Sequence, residues 1–179
     1  PGAPFRQSVD EYLRQCPRGR DAGWGWKLPE TTLCYPWIAK MFPRAKFIWW
    51  VRHPYDNIIS QHLTDNLLEF SAPVNAVDWR TENGDAARWM RAVSWLYQYE
   101  IVRQTPRPEN FIRVRFEDFV QNQDAEVARL EQFLSRKLGR VVTRPESVGR
   151  WRGVTDQKWP AWLAGPIHEL DYEDAGGNS

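Results

Sequence analysis

Cysteine is scarce in this 179-residue sequence, which contains only Cys16 and Cys34. Two cysteines exclude a disulfide framework and a cysteine-based metal centre, and they fit a reducing compartment. No apolar run approaches the roughly 20 residues that a membrane-spanning helix needs. The polar first residues, with Pro1, Pro4 and Arg6, do not resemble a secretory signal peptide. We therefore expect a cytoplasmic protein without a membrane span and without a bound metal.

Net charge is also almost absent, because 24 basic residues face 23 acidic ones and leave a formal charge of +1. This balance excludes the broad basic surface typical of nucleic-acid-binding proteins. Any recognition of phosphate must therefore be local. The length suits a single domain over residues 1–179, which can bury a core large enough to fold without disulfides.

Apolar and periodic segments alternate along the chain as they do in α/β proteins. Stretches of strand length occupy residues 23–27, 45–51 and 110–115. Helical patterns occupy residues 1–16, 31–41, 55–68, 85–103 and 116–120, and a further helix follows a cap at Asp124. The uninterrupted apolar run 45–51 is typical of a parallel strand that is covered on both faces. The predicted fold class is therefore α/β, with a mainly parallel sheet flanked by helices.

Tryptophan is unusually abundant, with 11 residues, and mainly predicts packing in cores and interfaces. In the tail, residues 148–174, we expect loops and a short helix held by Trp151, Trp159 and Trp162. Residues 71–84 contain Pro73 and Gly84 and predict a loop, which is a plausible lid or substrate-binding segment.

Residues 46–60 combine a buried strand, an arginine at its end and a helix that begins with proline. Ligands of open α/β sheets bind beyond the carboxyl ends of the strands, where Arg52 can bind a phosphate at two points. Ser60, expected two turns into the helix, can add a hydroxyl donor. Asp56 is expected to favour the helix N-terminus or to orient Arg52. The alternative for Arg52 is a structural ion pair at a loop.

Two further segments carry candidate functional residues. Lys27 ends the strand predicted over residues 23–27, where a lysine can neutralise charge on a leaving group; the alternative is an ordinary exposed lysine. Glu30 is a candidate general base or a helix-start carboxylate. The segment Gly149-Arg150-Trp151-Arg152 can bring amides, an arginine and an indole to a nucleotide, or it is a surface loop with a buried tryptophan.

Two histidines are candidate bases by residue type alone. His53 precedes Pro54 and its simpler role is to cap the following helix. His62 is expected on the surface of that helix.

In their order and spacing, these segments resemble the sulfotransferases that use 3′-phosphoadenosine 5′-phosphosulfate (PAPS). The matching stretches are residues 26–30, 42–48, 51–60, 116–120, 130–134 and 148–152. The resemblance implies a P-loop-NTPase-like fold of the sulfotransferase type. It also implies transfer of a sulfuryl group from PAPS to a hydroxyl or amine, on a small-molecule or glycan acceptor, with adenosine 3′,5′-bisphosphate as the product and no metal.

The resemblance also implies roles for individual residues. Arg52 and Ser60 hold the 3′-phosphate, and Lys27 assists departure of the adenosine bisphosphate. The nucleotide is contacted by three residues of the late loop, namely Gly149, Arg150 and Trp151.

The sequence departs from the family pattern in two places. No apolar strand with a Gly/Ser/Thr-rich phosphate loop precedes residues 23–27, so we expect an N-terminally truncated fold. Where many members place a histidine as base, two residues after the lysine, this chain has Pro29. Two alternatives to an enzyme therefore remain, namely a non-catalytic protein that binds an adenine bisphosphate or a protein partner, and an interaction module that kept only the fold. A homodimer across an open sheet edge is a further expectation.

Overall fold

The structure is a computed structural model that describes residues 2–15, 25–60, 86–155 and 158–172. Its first half contains helix α1 (Ala3–Gln15), a 3-10 helix (Pro29–Thr32), helix α2 (Tyr35–Met41), strand β1 (Phe47–Val51) and helix α3 (Pro54–Ile58). The second half contains α4 (Ala86–Gln104), β2 (Phe111–Arg115), α5 (Phe116–Gln121), α6 (Gln123–Leu134), three 3-10 helices (Pro145–Ser147, Arg150–Gly153 and Ala161–Leu163) and α7 (Ala164–Glu169).

Strands β1 and β2 pair in parallel, with Phe47 opposite Phe111 and Val51 opposite Arg115. A parallel pair needs a long crossover connection, and α4 lies within the one that joins these two strands. The α/β class predicted from the sequence is therefore confirmed. Because both strands run the same way, residues 52 and 116 follow their carboxyl ends at the same edge of the sheet.

The prediction that β1 is covered on both faces is wrong. Val51 is buried and Trp49 packs against the core, whereas Ile48 and Trp50 on the other face are 41% and 47% exposed. Trp50 packs against the rings of Phe119 and Phe116, with centroids 4.9 Å and 6.5 Å away. An apolar run shows that a strand is hydrophobic, but it does not show whether other elements pack on both of its faces. The sequence therefore could not distinguish the buried face from the exposed one.

The main core lies between the end of β1, α3, α4 and the last described segments of the chain. It is formed by Val51, Tyr55, Ile58, Ala92, Trp95, Tyr99, Trp151, Leu163, Ile167, Leu170 and Tyr172. Trp159 and Trp162 pack against this cluster, so the three tail tryptophans are anchors as the sequence predicted. The core therefore connects the carboxyl end of β1 directly to the C-terminal part of the chain.

The strand predicted over residues 23–27 is wrong for the described residues 25–27, which are irregular. Pro29 has no amide hydrogen to donate to a neighbouring strand. The indole of Trp26 instead donates to Thr31 Oγ1 at 3.1 Å, which is a contact within the same segment. The predicted helix cap at Thr31 or Thr32 is also wrong. These threonines end the 3-10 helix, and α2 begins at Tyr35 with Pro36 in its first turn.

Two helix boundaries also differ from prediction. The helix expected over residues 55–68 begins at Pro54 and its described part ends at Ile58; residues 61–68 lie outside the described ranges. Its last turn is tighter than an α-helical turn, because Ser60 N donates to Asn57 O, three residues earlier. The free carbonyl of Ile58 at the helix end accepts a hydrogen bond from Arg91 Nη1 at 3.1 Å. Helix α6 begins after Asn122, so Asp124 lies inside its first turn and is not its cap.

The remaining helices predicted from sequence periodicity are confirmed within one to three residues at their ends. The predicted loop over residues 71–84 lies outside the described ranges. Among the helices of the described residues, none is both long enough and apolar enough to cross a membrane.

Candidate functional site

Arg52 follows the last residue of β1 and is held from three sides. Its Nη2 donates to the carbonyl of Ser147 at 2.6 Å, and its guanidinium lies 4.8 Å from the ring centroid of Phe116. Its own carbonyl accepts a hydrogen bond from the indole of Trp95 at 3.0 Å. The buried Nε atom has no hydrogen-bond partner, which leaves an unused donor on a fixed arginine.

A second arginine lies close enough to act on the charge of Arg52. Burial lowers the pKa of Arg52, and the like charge of Arg150 lowers it further, whereas the carboxylates of Asp56 and Glu117 act in the opposite direction. Arg150 is exposed. With the carboxylates of the described ranges, neither Arg52 nor Arg150 forms an ion pair. We refer to these two side chains as the arginine pair; the planar guanidinium groups suit a phosphate or sulfate ligand.

Asp56 is fully buried in α3 and accepts two backbone hydrogen bonds from distant residues. Its Oδ2 accepts from the amide of Gly149 at 2.6 Å, and its Oδ1 accepts from the amide of Trp151 at 3.1 Å. The sequence analysis assigned Asp56 to the helix N-terminus or to the orientation of Arg52. Instead, its two oxygens hold residues 147–151, which we call the late loop.

The late loop is also held by its own conformation and packing. Gly149 has φ +71°, a left-handed value that favours glycine. The ring of Trp151 stacks on that of His53, with centroids 5.0 Å apart, and the residue is buried. Since these contacts use the amides and the indole inside the fold, Arg150 is the part of the loop turned to solvent. Nucleotide contact by Gly149 and Trp151 stays a prediction.

Glu117, in the first turn of α5, joins three parts of the chain around the arginine pair. Its Oε1 accepts from the amide of His53 at 2.9 Å, and its Oε2 accepts from the hydroxyl of Tyr172 at 2.8 Å. The same hydroxyl lies 3.3 Å from the carbonyl of Val51. Burial, and then the charge of Glu117, raises the pKa of Tyr172. Sequence reasoning did not identify Glu117 or Tyr172 as parts of this site.

Position along the chain could have identified Glu117, because it follows the end of β2 just as His53 follows the end of β1. Parallel strands bring such residues together at one edge. No comparable signal exists for Tyr172, which comes from the irregular tail.

His53 caps α3, as the simpler of its two sequence interpretations predicted. Its Nδ1 accepts from the amide of Tyr55 at 3.2 Å. This bond uses an amide that a helix N-terminus would otherwise present to an anion.

The sequence predicted that Ser60 lies two turns into the helix, on its face. Instead, Ser60 is buried and follows the last turn of α3. Its amide donates to Asn57 O at 3.1 Å. The proposed contact between its hydroxyl and a phosphate stays a prediction. His62 lies outside the described residues.

Lys27 and Glu30 are both exposed and belong to the irregular and 3-10 segment before α2. Within the described ranges, no hydrogen bond or ion pair joins either residue to the arginine pair or to the late loop. The structure thus assembles Arg52, Asp56 and the late loop, and it does not join Lys27 or Glu30 to them.

Comparison with known proteins gives a family and a fold. The model of the family described as "Sulfotransferase family" matches residues 3–139. A solved structure, "Sulfotransferase Domain from the Curacin Biosynthetic Pathway", is similar with a TM-score of 0.51 and 17% sequence identity. The alignment covers 72% of this chain and 54% of that domain, so the chain spans about half of that domain's length. No curated protein matches the sequence significantly.

Proposed function

This chain belongs to the sulfotransferase family, and on that premise we propose that it binds the adenosine 3′,5′-bisphosphate part of PAPS at Arg52 and Arg150. The proposed reaction is transfer of the sulfuryl group to a hydroxyl or amine of a small-molecule or glycan acceptor. Ser60 is proposed to add a hydroxyl donor to the same phosphate.

The observation that carries this proposal is the arginine pair. Two guanidinium groups repel each other, and bringing them together costs free energy unless an anion compensates. Here the charge of Arg150 acts on Arg52, neither arginine forms an ion pair with a described carboxylate, and Arg52 Nε is buried without a partner. A phosphate with two or three acceptor oxygens fits both features, because it neutralises the charge and accepts from several guanidinium nitrogens.

The proposed chemistry balances without a metal or a redox partner. The acceptor oxygen or nitrogen forms a bond to sulfur while the bond between sulfur and the phosphate oxygen of PAPS breaks. The acceptor proton leaves to a base, for which Glu30 is the proposed group, and Lys27 is proposed to neutralise the departing phosphate. As in phosphoryl transfer, the rate would depend on positioning and charge neutralisation.

A second candidate function is binding of an adenine bisphosphate without catalysis. It is favoured by the exposure of Lys27 and Glu30 and by the lack of a described contact between them and the arginine pair. Both candidates need the arginine pair, and they differ in whether Lys27 matters.

The first test is calorimetric titration of adenosine 3′,5′-bisphosphate into the protein and into two arginine variants. Arg52→Ala removes a residue at the carboxyl end of β1, whereas Arg44→Ala removes an exposed arginine before its other end. We expect a dissociation constant on the order of micromolar for the unmodified protein, at least about tenfold weaker binding for Arg52→Ala, and no change for Arg44→Ala. Equal loss in both arginine variants, or no binding by the unmodified protein at millimolar nucleotide, would contradict the proposal.

Catalysis is tested separately with PAPS and a panel of hydroxyl and amine acceptors, by measuring release of adenosine 3′,5′-bisphosphate. Lys27→Ala is compared with Lys40→Ala, a change at another exposed lysine, in the last turn of α2. Turnover that falls only in Lys27→Ala supports the enzyme. Tight nucleotide binding without turnover on any acceptor supports the non-catalytic alternative.

A further inference from the structure

Asp56 is held in the structure in a way that the proposed function does not explain. It is fully buried, although a carboxylate is costly to bury unless it is paired or hydrogen-bonded. Within the described ranges it forms no ion pair with Arg52; its partners are the amides of Gly149 and Trp151, 93 and 95 positions away in sequence. Its two oxygens are therefore used to fix a remote loop.

Two side chains from residues 52–56 form hydrogen bonds with every second residue of the late loop. Arg52 binds the carbonyl of Ser147, and Asp56 binds the amides of Gly149 and Trp151. Arg150 lies between the two amides that Asp56 holds, and its charge acts on Arg52. The position of the second arginine therefore depends on the carboxylate of Asp56.

We propose that Asp56 is a positioning residue that holds the late loop so that Arg150 faces the same anion as Arg52. This inference rests on the proposed function. Asp56 does not touch the anion; it acts through the backbone of Gly149 and Trp151. Its bonds fix the backbone on both sides of Arg150, which limits the positions that the Arg150 side chain can reach.

Two effects of Asp56 on anion binding have opposite signs, and this makes the proposal testable. Asp56 places a negative charge near Arg52, so removing that charge should strengthen anion binding if electrostatics alone mattered. Releasing the late loop should weaken binding, because Arg150 would no longer be fixed. The direction of the change in affinity therefore distinguishes a positioning residue from a nearby charge.

The experiment is titration of adenosine 3′,5′-bisphosphate and adenosine 5′-monophosphate, which lacks the 3′-phosphate, into the protein and Asp56→Asn. An asparagine keeps the shape but offers only one acceptor oxygen to two amides. We expect at least about tenfold weaker binding of the bisphosphate and less than about threefold change for the monophosphate. Hydrogen–deuterium exchange of a peptide that contains residues 149–151 should be faster in Asp56→Asn.

Glu117→Gln is the charge-matched comparison, since Glu117 also acts on Arg52 but does not bond the late loop. We expect this variant to bind the bisphosphate slightly more tightly. Should Asp56→Asn not fold, Asp56→Glu replaces it: the charge remains, but the longer side chain moves both oxygens away from the two amides, and binding should again weaken.

Each outcome has a distinct meaning. If the unmodified protein binds the bisphosphate and Asp56→Asn binds it equally or more tightly, the positioning role is wrong and the proposed function stands. Unchanged amide exchange over residues 149–151 in Asp56→Asn would also overturn the positioning role. If the unmodified protein binds no bisphosphate, the proposed function fails, and the role of Asp56 in ligand binding fails with it.

Discussion

The two groups of residues that the sequence assigned to one site differ sharply in how the fold holds them. The side chains of Arg52, Asp56 and Glu117 form hydrogen bonds to residues between 55 and 95 positions away, and the two carboxylates are buried. Lys27 and Glu30 are exposed, and the described side-chain hydrogen bond nearest to them spans only five positions, from Trp26 to Thr31. The side chains of the first group are held by long-range hydrogen bonds, whereas those of Lys27 and Glu30 form none within the described ranges.

The difference bears on function because binding and catalysis make different demands. A binding site works when its charged groups are fixed and partly desolvated, as Arg52 is. Transfer chemistry also requires the leaving-group and base residues within hydrogen-bonding reach of the reacting atoms. The first group meets its demand in this structure. The second group distinguishes an enzyme from a binding protein, and the following variants test the contrast between the two groups.

The largest effect is expected for Glu117→Ala, because it leaves two buried donors, the His53 amide and the Tyr172 hydroxyl, without their acceptor. We expect the free energy of unfolding to fall by about 2 to 4 kcal/mol, measured by urea denaturation. Ordinary surface substitutions change the free energy of unfolding by less than about 0.5 kcal/mol. A loss of that size for Glu117→Ala would contradict the contrast between the buried residues and the exposed Lys27 and Glu30.

Gly149→Ala tests the left-handed residue of the late loop. A side chain at φ +71° is strained, and its Cβ would lie 2.2 Å from Arg152 Nη1, so we expect a loss of about 1 to 2 kcal/mol. Gly153→Ala is the matched control, because a Cβ there meets nothing within 4 Å and its φ is not left-handed. Equal losses in thermal denaturation of the two variants would show that the conformation of Gly149 contributes no special stability.

Tyr172→Phe is expected to cost about 1 kcal/mol at neutral pH, through loss of its hydrogen bond to Glu117. The fold raises the pKa of Tyr172, so the hydroxyl stabilises the folded state fully below the unfolded value of about 10, and this contribution is lost as pH rises above it. Denaturation between pH 9 and 11 should therefore show a steeper loss for the unmodified protein than for Tyr172→Phe. Parallel pH profiles would contradict this assignment.

The smallest effect is expected for Lys27→Ala, whose free energy of unfolding should stay within about 0.5 kcal/mol of the unmodified protein. Its side chain is exposed and forms no hydrogen bond or ion pair within the described ranges. A substantial destabilisation would show that the Lys27 side chain is itself held by tertiary contacts, and would sharpen the case for catalysis.

The site was predictable where a residue's role follows from its place next to an element. Arg52 at the end of an apolar run and His53 before a proline were assigned in this way, and the structure places them so. The partners of Asp56 were not predictable, because they lie in a loop whose approach to α3 leaves no periodic pattern. The strand prediction failed for the described residues 25–27 because alternation in a short segment does not reveal whether a partner strand is present.

The sequence by itself determined the α/β class, the extents of β1, β2 and α4 within one to two residues, and the arginine at the carboxyl end of β1. Hydrophobic periodicity and proline placement are local, so these features do not depend on distant contacts. Only the tertiary structure decided which groups neutralise, orient or approach Arg52. Those contacts join residues about 95 positions apart through backbone amides and carbonyls, which every residue type possesses and which therefore leave no mark in the sequence.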